Sequence, residues 1–299
     1  MKYLAIAVLG LLGLIVLYLG IVLGSAHLQI RAIDVEIPAL EEIAKLQVRE
    51  TEGPQRVTFV TTAQQSIERG RIGHVGVLVG WRDGRQLLID TGMDREAAVE
   101  FGKLIEAMMG ADPVETFGPI EEQLAGGVDN IRGIVFTHLH SDHTQGVTAL
   151  CNTMTEPARI FQTLEQAKEH NLHTQAGQAL VAEARCQSEL LEGDAIMSIK
   201  GFPGVYAIAA GGHTPGSTII IVVTSEQTWI FSGDLTNDIT SVRENADKGW
   251  LYSYLLVPEN TALLEGWRIW LRNADDLDNV SVLPAHDVDH MRKKLGEQK

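Results

Sequence analysis

Thr137-His138-Leu139-His140-Ser141-Asp142-His143, continued by Thr144-Gln145-Gly146, brings three histidines and an aspartate into six positions. The chain has 10 His in 299 residues, and chance would give this spacing in about one such chain in a thousand. The cluster therefore asks for a chemical reason. The run leading into it, Ile131 to Thr137, is β-rich, and on an extended end residues two apart share a face. His138 and His140 can thus reach one ion, while Asp142 and His143, at the turn, can address a neighbouring one. Imidazole and carboxylate together suit zinc first, with manganese or iron as alternatives. The scattered histidines His27, His74, His170, His173 and His290 read instead as ordinary surface or core residues.

More donors stand at other expected strand ends: Gly212-His213-Thr214-Pro215-Gly216, Phe231-Ser232-Gly233-Asp234 and Pro284-Ala285-His286-Asp287. Strands are expected at Val57–Thr61, His74–Val79, Gln86–Asp90, Ile131–Thr137, Ser217–Thr224 and Thr228–Ser232, bounded by turn residues. Between them lie helical patterns. Ala97, Phe101, Leu104, Ile105 and Met108 share one face, as do Leu263, Leu264, Trp267, Trp270 and Leu271, with Asn260 as N-cap and the tryptophans in the core. The order suggests an α/β fold of two sheets packed face to face with helices outside, which periodicity alone does not fix.

Composition narrows the field. With 45% hydrophobic residues, 29 Gly, 9 Pro and 2 Cys, the chain is neither a disordered polymer, a collagenous repeat nor a disulfide-stapled miniprotein. A net charge of −15 repels phosphate backbones, so no nucleic-acid partner is expected. Tyr3 to Leu23 is an uncharged apolar run of 21 residues, roughly 31 Å as a helix and long enough to cross a bilayer. The expected organisation is an N-terminal membrane anchor or signal peptide over 1–26, a connecting segment over 27–55 and one folded domain over 56–299. Lys2 before the run and Asp34, Glu36, Glu41 and Glu42 after it favour an exported domain, membrane-anchored in the periplasm or outside the cell. Cleavage near Gly24-Ser25-Ala26 would instead release a secreted protein. Export would permit Cys151 and Cys186 to pair, but nothing in the sequence brings them together, and two buried thiols are an equal reading.

The four donor motifs, in this order, resemble those of the metallo-β-lactamase-fold metallohydrolases over roughly Val57 to His290. The resemblance implies an αββα four-layer sandwich with the site at one edge between the sheets. It implies that His138, His140 and His213 hold a first divalent metal, that Asp142, His143 and His286 hold a second, and that Asp234 bridges them. Asp90, in Ile89-Asp90-Thr91-Gly92, matches the family's early acidic strand end and would orient a ligand from behind. The activity implied is hydrolysis by a metal-bridging hydroxide, because a bound water's pKa can fall from 15.7 to about 7. Asp142 and Asp234 are then catalytic as well as ligating, with proton transfer a further duty of Asp142.

Departures within the resemblance indicate the branch. The dominant β-lactamase subclass carries cysteine where this chain has Asp234. Glyoxalase-II-like thioesterases add a helical domain, whereas 13 residues follow His286 here. Flavodiiron proteins have an acid in place of His140. The lactonase-like hydrolases remain the most similar, which implies a lactone, an ester or a related small acyl substrate. Quorum-quenching members commonly place tyrosine soon after the bridging aspartate; here Leu235, Thr236 and Asn237 follow, and Trp250, Tyr252 and Tyr254 arrive later. Those three are read first as packing residues and second as a pocket wall. β-Lactamase or thioesterase activity, an iron-dependent oxidative reaction and a non-catalytic membrane-anchored metal-binding module are the competing readings.

Overall fold

The computed structural model describes residues 2–124 and 127–297, so Met1, Ala125, Gly126, Gln298 and Lys299 lie outside the description. Thirteen strands follow in chain order among the described residues: β1 (Arg56–Ile67), β2 (Gly70–Gly80), β3 (Gln86–Ile89), β4 (Glu115–Thr116), β5 (Ile131–Val135), β6 (Arg159–Gln162), β7 (Gln187–Leu190), β8 (Met197–Ser198), β9 (Val205–Ala209), β10 (Thr218–Val223), β11 (Thr228–Gly233), β12 (Val280–Pro284) and β13 (Gly296–Glu297). One sheet runs β13-β1-β2-β3-β5-β6-β7 with β4 beside β1, and the other runs β12-β11-β10-β9-β8. Strands β3, β5, β6 and β7 are mutually parallel, as are β11 and β12. Their carboxyl ends supply most of the turns that matter below.

The period of two along each strand divides its side chains between layers. Phe59, Val77, Leu87 and Val135 from the first sheet meet Ala207, Ile220, Phe231 and Leu283 from the second in the central core. On the outer face of the first sheet, Leu78, Leu88, Ile134 and Ile160 pack beneath the Val147–Thr153 and Gln175–Glu183 helices. Behind the second, Ile219, Ile221, Ile230 and Val282 receive Leu264, Trp267, Trp270 and Leu271 of the Thr261–Asp275 helix. The expected αββα sandwich is therefore present. Asn260 caps that last helix by accepting from the Leu263 amide at 3.2 Å. The Trp267 and Trp270 indoles donate to the Ala210 and Pro38 carbonyls, each at 2.8 Å.

One expectation needs correction, and one open reading is decided. The Arg95–Met109 helix does not bury Leu104 and Met108, which are exposed; it packs through Ala98 and Gly102, with Ala97 and Phe101 alongside. A Cβ at Gly102 would lie 2.8 Å from Val114, so the small residues, and not the large apolar ones, set the contact face. Cys151 and Cys186 are not separate thiols, since they form a disulfide between the Val147–Thr153 helix and the residue before β7. Its partners are 35 residues apart in sequence, and closing a loop of that size removes roughly 3–4 kcal/mol of unfolded-chain entropy. Replacing both cysteines by alanine should lower the guanidinium midpoint correspondingly. An unchanged midpoint would remove the disulfide from the account of stability.

The apolar N-terminal run continues as one helix, Lys2–Ala32, so the expected boundary at residue 26 falls inside it. The segment after it is docked on the second sheet: Ile43, in the short Leu40–Ala44 helix, is buried in the same core as Trp267.

Candidate metal centre

All four donor motifs meet at one edge of the sandwich. β5 runs out into the extended residues holding His138 and His140, and the Ser141–Thr144 turn of helix then raises Asp142 and His143. His213 stands between β9 and β10, Asp234 directly follows β11, and His286 lies just beyond β12. The Thr218 amide donates to the Thr137 carbonyl at 2.7 Å, tying the two sheets together at this edge. Gly233 brings β11 against Thr137 with a φ of 54°; a Cβ there would stand 2.7 Å from the threonine Cβ. Only glycine permits both the turn and the approach.

The donor atoms fall into three groups, the first and last sharing His138: His138, His140 and His213; His74, Asp142 and His286; and His138, His143 and Asp234. His213 Nε2 is 3.2 Å from His140 Nδ1 and 3.7 Å from Asp234 Oδ2. His286 Nε2 is 3.1 Å from Asp234 Oδ2 and 3.4 Å from Asp142 Oδ2. His143 Nε2 is 3.5 Å from Asp142 Oδ2 and 3.6 Å from Asp234 Oδ1. A tetrahedral shell with bonds of about 2.0–2.1 Å spaces its ligands roughly 3.3 Å apart. The Nε2 atoms of His138 and His143 and Asp234 Oδ1 are buried without a hydrogen-bond partner, and His140 turns Nδ1 toward His213. Leaving such atoms bare would cost about 1–3 kcal/mol each. Cations at this spacing would satisfy them together, so the residues fit a dinuclear metal site.

Groups behind the ligands select the tautomers. His143 Nδ1 donates to Asp90 Oδ2 at 2.9 Å, His286 Nδ1 to the Gly73 carbonyl at 2.8 Å and His213 Nδ1 to Glu259 Oε1 at 2.6 Å. Each leaves Nε2 free to face the cluster, the arrangement by which an acceptor behind a histidine orients it toward metal. Asp90 also accepts from the Thr137 amide at 2.8 Å and from its hydroxyl at 2.7 Å. It does so from a left-handed backbone position at the end of β3, with φ 58°.

The electrostatics divide the imidazoles into three neutral donors and two whose protons a cation would displace. Burial holds His138 and His140 well below the usual histidine range, keeping them neutral with lone pairs available. Burial and then Lys248 lower His213. Against burial, Asp142, Asp90 and Asp234 hold His143 up at about 10, and Asp234 and Asp142 raise His286. Against burial again, imidazoles hold both aspartates far below the usual carboxylate range: chiefly His143 for Asp142, and chiefly His286 for Asp234. Two anions among crowded imidazoles form a receptor for positive charge.

Three participants were missed in the sequence. His74, read there as an ordinary histidine, is buried in β2 with Nδ1 3.4 Å from Asp142 Oδ2. Its signal was a lone polar side chain inside the apolar run Ile72–Val79. Glu259 and Lys248 form the other omission. The Lys248 ammonium donates to Glu259 Oε1 at 3.0 Å and to the Asp234 carbonyl at 2.5 Å. Its 3.1 Å approach to His213 Nδ1 brings two donors together on one carboxylate oxygen. Ser253 donates to Glu259 Oε2 at 2.6 Å. No spacing or periodicity marks this pair. His173 also joins the surroundings, with its ring 6.0 Å from that of His140.

The model of the metallo-beta-lactamase superfamily matches residues 69–286, and the chain belongs to that superfamily. It is accordingly a metal-dependent hydrolase with a dinuclear His/Asp centre. Among solved structures, an N-acyl homoserine lactone hydrolase with the product N-hexanoyl-L-homoserine at its catalytic metal centre is similar with a TM-score of 0.59. It is 15% identical, over 81% of this chain and 96% of that one. AidC, a dizinc quorum-quenching lactonase, gives a TM-score of 0.51 at 19% identity over 72% and 73%. A probable metal-dependent hydrolase from Staphylococcus aureus gives 0.57 at 14% over 78% and 90%. These likenesses concern the fold. No curated protein matches the sequence.

Proposed function

We propose that this chain hydrolyses a lactone, ester or related acyl bond, using two divalent cations, zinc first among them. His138, His140 and His213 hold one, and Asp142, His143 and His286 the other, with Asp234 between them and His74 Nδ1 within reach of the second. The observation that carries this reading is the set of buried, unpartnered ligand atoms spaced as a cation's shell would space them. Such a pair supplies Lewis acidity and a water ionised near neutral pH.

The protein's own contributions follow from its geometry. Asp90, Glu259 and the Gly73 carbonyl fix three imidazoles from behind. Asp142, kept ionised by its neighbours, serves chiefly as a ligand. Burial and the nearby Asp234, Glu259 and Asp142 push the Tyr252 phenol well above its ordinary value. The hydroxyl therefore stays protonated and can donate to a substrate oxygen beside the cluster. Loss of one such donor typically costs about 10²–10³ in turnover. Tyr252→Phe should lower kcat by roughly 100-fold with metal content unchanged; full turnover in this variant would remove Tyr252 from substrate binding.

The apolar helix Lys2–Ala32 is read as an anchor and residues 56–299 as an exported catalytic domain. The Cys151–Cys186 disulfide supports an oxidising compartment. The net charge of −15 disfavours nucleic acid as substrate. A screen of the metal-loaded full-length chain in detergent against lactones, esters, thioesters, β-lactams and phosphodiesters tests the proposal. Turnover of lactones or esters is expected. Turnover confined to phosphodiesters, or none with two metals bound, would overturn it.

A further inference from the structure

The carboxyl-terminal end of the apolar helix is built into the rim of the metal centre. Ala26 and Ile30 are buried, whereas the helix from Leu9 to Ile21 is exposed along its length. His27 Nε2 donates to the Tyr254 carbonyl at 3.1 Å, and the two rings lie 5.4 Å apart. Tyr254 in turn stacks on Trp250, with centroids 5.9 Å apart and planes 20° from parallel. On the other flank Gln29 donates to the His170 carbonyl at 3.0 Å. Just past the helix, Ile33 packs against Gly211, two residues before His213. The helix thus ends wedged between two segments that also reach the cluster: one carries Tyr252, the other His173.

Those segments and the helix end expose apolar side chains. Trp250 is 65% exposed, and Leu28, Leu172, Leu251 and Leu255 are exposed as well. Water does not favour a tryptophan and four leucines exposed on and beside the end of this helix. A bilayer does. The apolar run ends at Leu23, one helical turn or about 6 Å before His27, so His27, Tyr254 and Trp250 stand at headgroup depth. Interfacial tryptophan and tyrosine are the residues that settle there. The patch is therefore continuous with the surface that would already lie in lipid.

We propose that the metal centre opens onto the bilayer surface and that its substrate is a membrane-partitioned acyl amphiphile, a long-chain lactone or ester drawn from the leaflet. This rests on the acyl-hydrolase reading above and adds the route by which substrate arrives. The leucines accept the acyl chain at the interface while the polar head turns inward, between the His173 and Tyr252 segments. His140 and His286 are the ligands that remain half-buried and reachable.

The test uses the full-length chain reconstituted into phosphatidylcholine–phosphatidylglycerol vesicles containing lipids brominated on their acyl chains. Among the described residues Trp250 is the one exposed tryptophan, so the fluorescence that Trp250→Phe removes reports its position. That component is expected to be quenched by the bromolipid. An unquenched Trp250 signal, or a chain that fails to float with the vesicles, overturns the proposal. In the same vesicles, hydrolysis of a long-chain lactone is compared with that of a short-chain, water-soluble one. The double variant Leu172→Glu/Leu251→Glu should lower the ratio of the two rates at least fivefold, and an unchanged ratio also counts against the route. Absence of hydrolysis on both lactones would sink the acyl-hydrolase reading, whereas quenching reports docking independently of chemistry.

Discussion

Asp234→Ala is expected to leave about one metal equivalent per chain and to reduce turnover at least 10³-fold. Asp234 directs Oδ2 to His213 and His286 and Oδ1 to His143, so its carboxylate lies between the two proposed ligand sets. Two unit charges about 4 Å apart interact by about 4 kcal/mol at an effective dielectric of 20, and two dications by four times as much. An anion between them offsets that repulsion, and removing it should expel the less firmly held ion. Asp234→Asn preserves shape without charge and should behave almost as badly, which separates charge from packing. Elemental analysis after gel filtration and steady-state rates on the same sample decide the matter. Two tightly held metals and full turnover in either variant would refute the bridging role.

The legibility of this centre followed the sequence distance between its parts. His138, His140, Asp142 and His143 are neighbours on one strand end, so their convergence needed only the pleat and a turn. His213, Asp234 and His286 came from separate turns and were brought in through the resemblance of the whole motif series. His74 was passed over because a single histidine in an apolar strand looks the same whether its partner is a carbonyl or a cluster. The burial of Ala98 and Gly102, in place of Leu104 and Met108, depends on how near β1 lies to that helix. Helical periodicity carries no such distance. β7 was also missed, because its Gln187-Ser188-Glu189-Leu190 sequence sits on a sheet edge, largely exposed, without apolar alternation. The Cys151–Cys186 pair likewise depends on which helix covers which strand.

Glu259 offers the sharpest separation of folding from metal binding. Its side chain is 1% exposed and that of Lys248 4%, and Lys248 followed by His213 and Ser253 holds the carboxylate, despite burial, at about 2. Glu259→Gln removes the anion that faces both the ammonium and the His213 Nδ1 proton. Breaking a buried pair from one side typically costs about 3–5 kcal/mol, because a charge remains without compensation. Losing the acceptor behind a ligating histidine typically weakens metal binding about 10–100-fold. Glu259→Gln should therefore unfold at lower denaturant in the metal-free state and surrender metal to weaker chelators. Adding Lys248→Met removes the stranded ammonium. If the stability loss arises from that charge, the double variant should recover most of the unfolding midpoint while its metal affinity remains low. Recovery of both would assign Glu259 to balancing Lys248 alone, and recovery of neither would make it a packing residue. The expected split identifies Glu259 as the group that holds His213 toward the cation while Lys248 keeps that carboxylate ionised inside the protein.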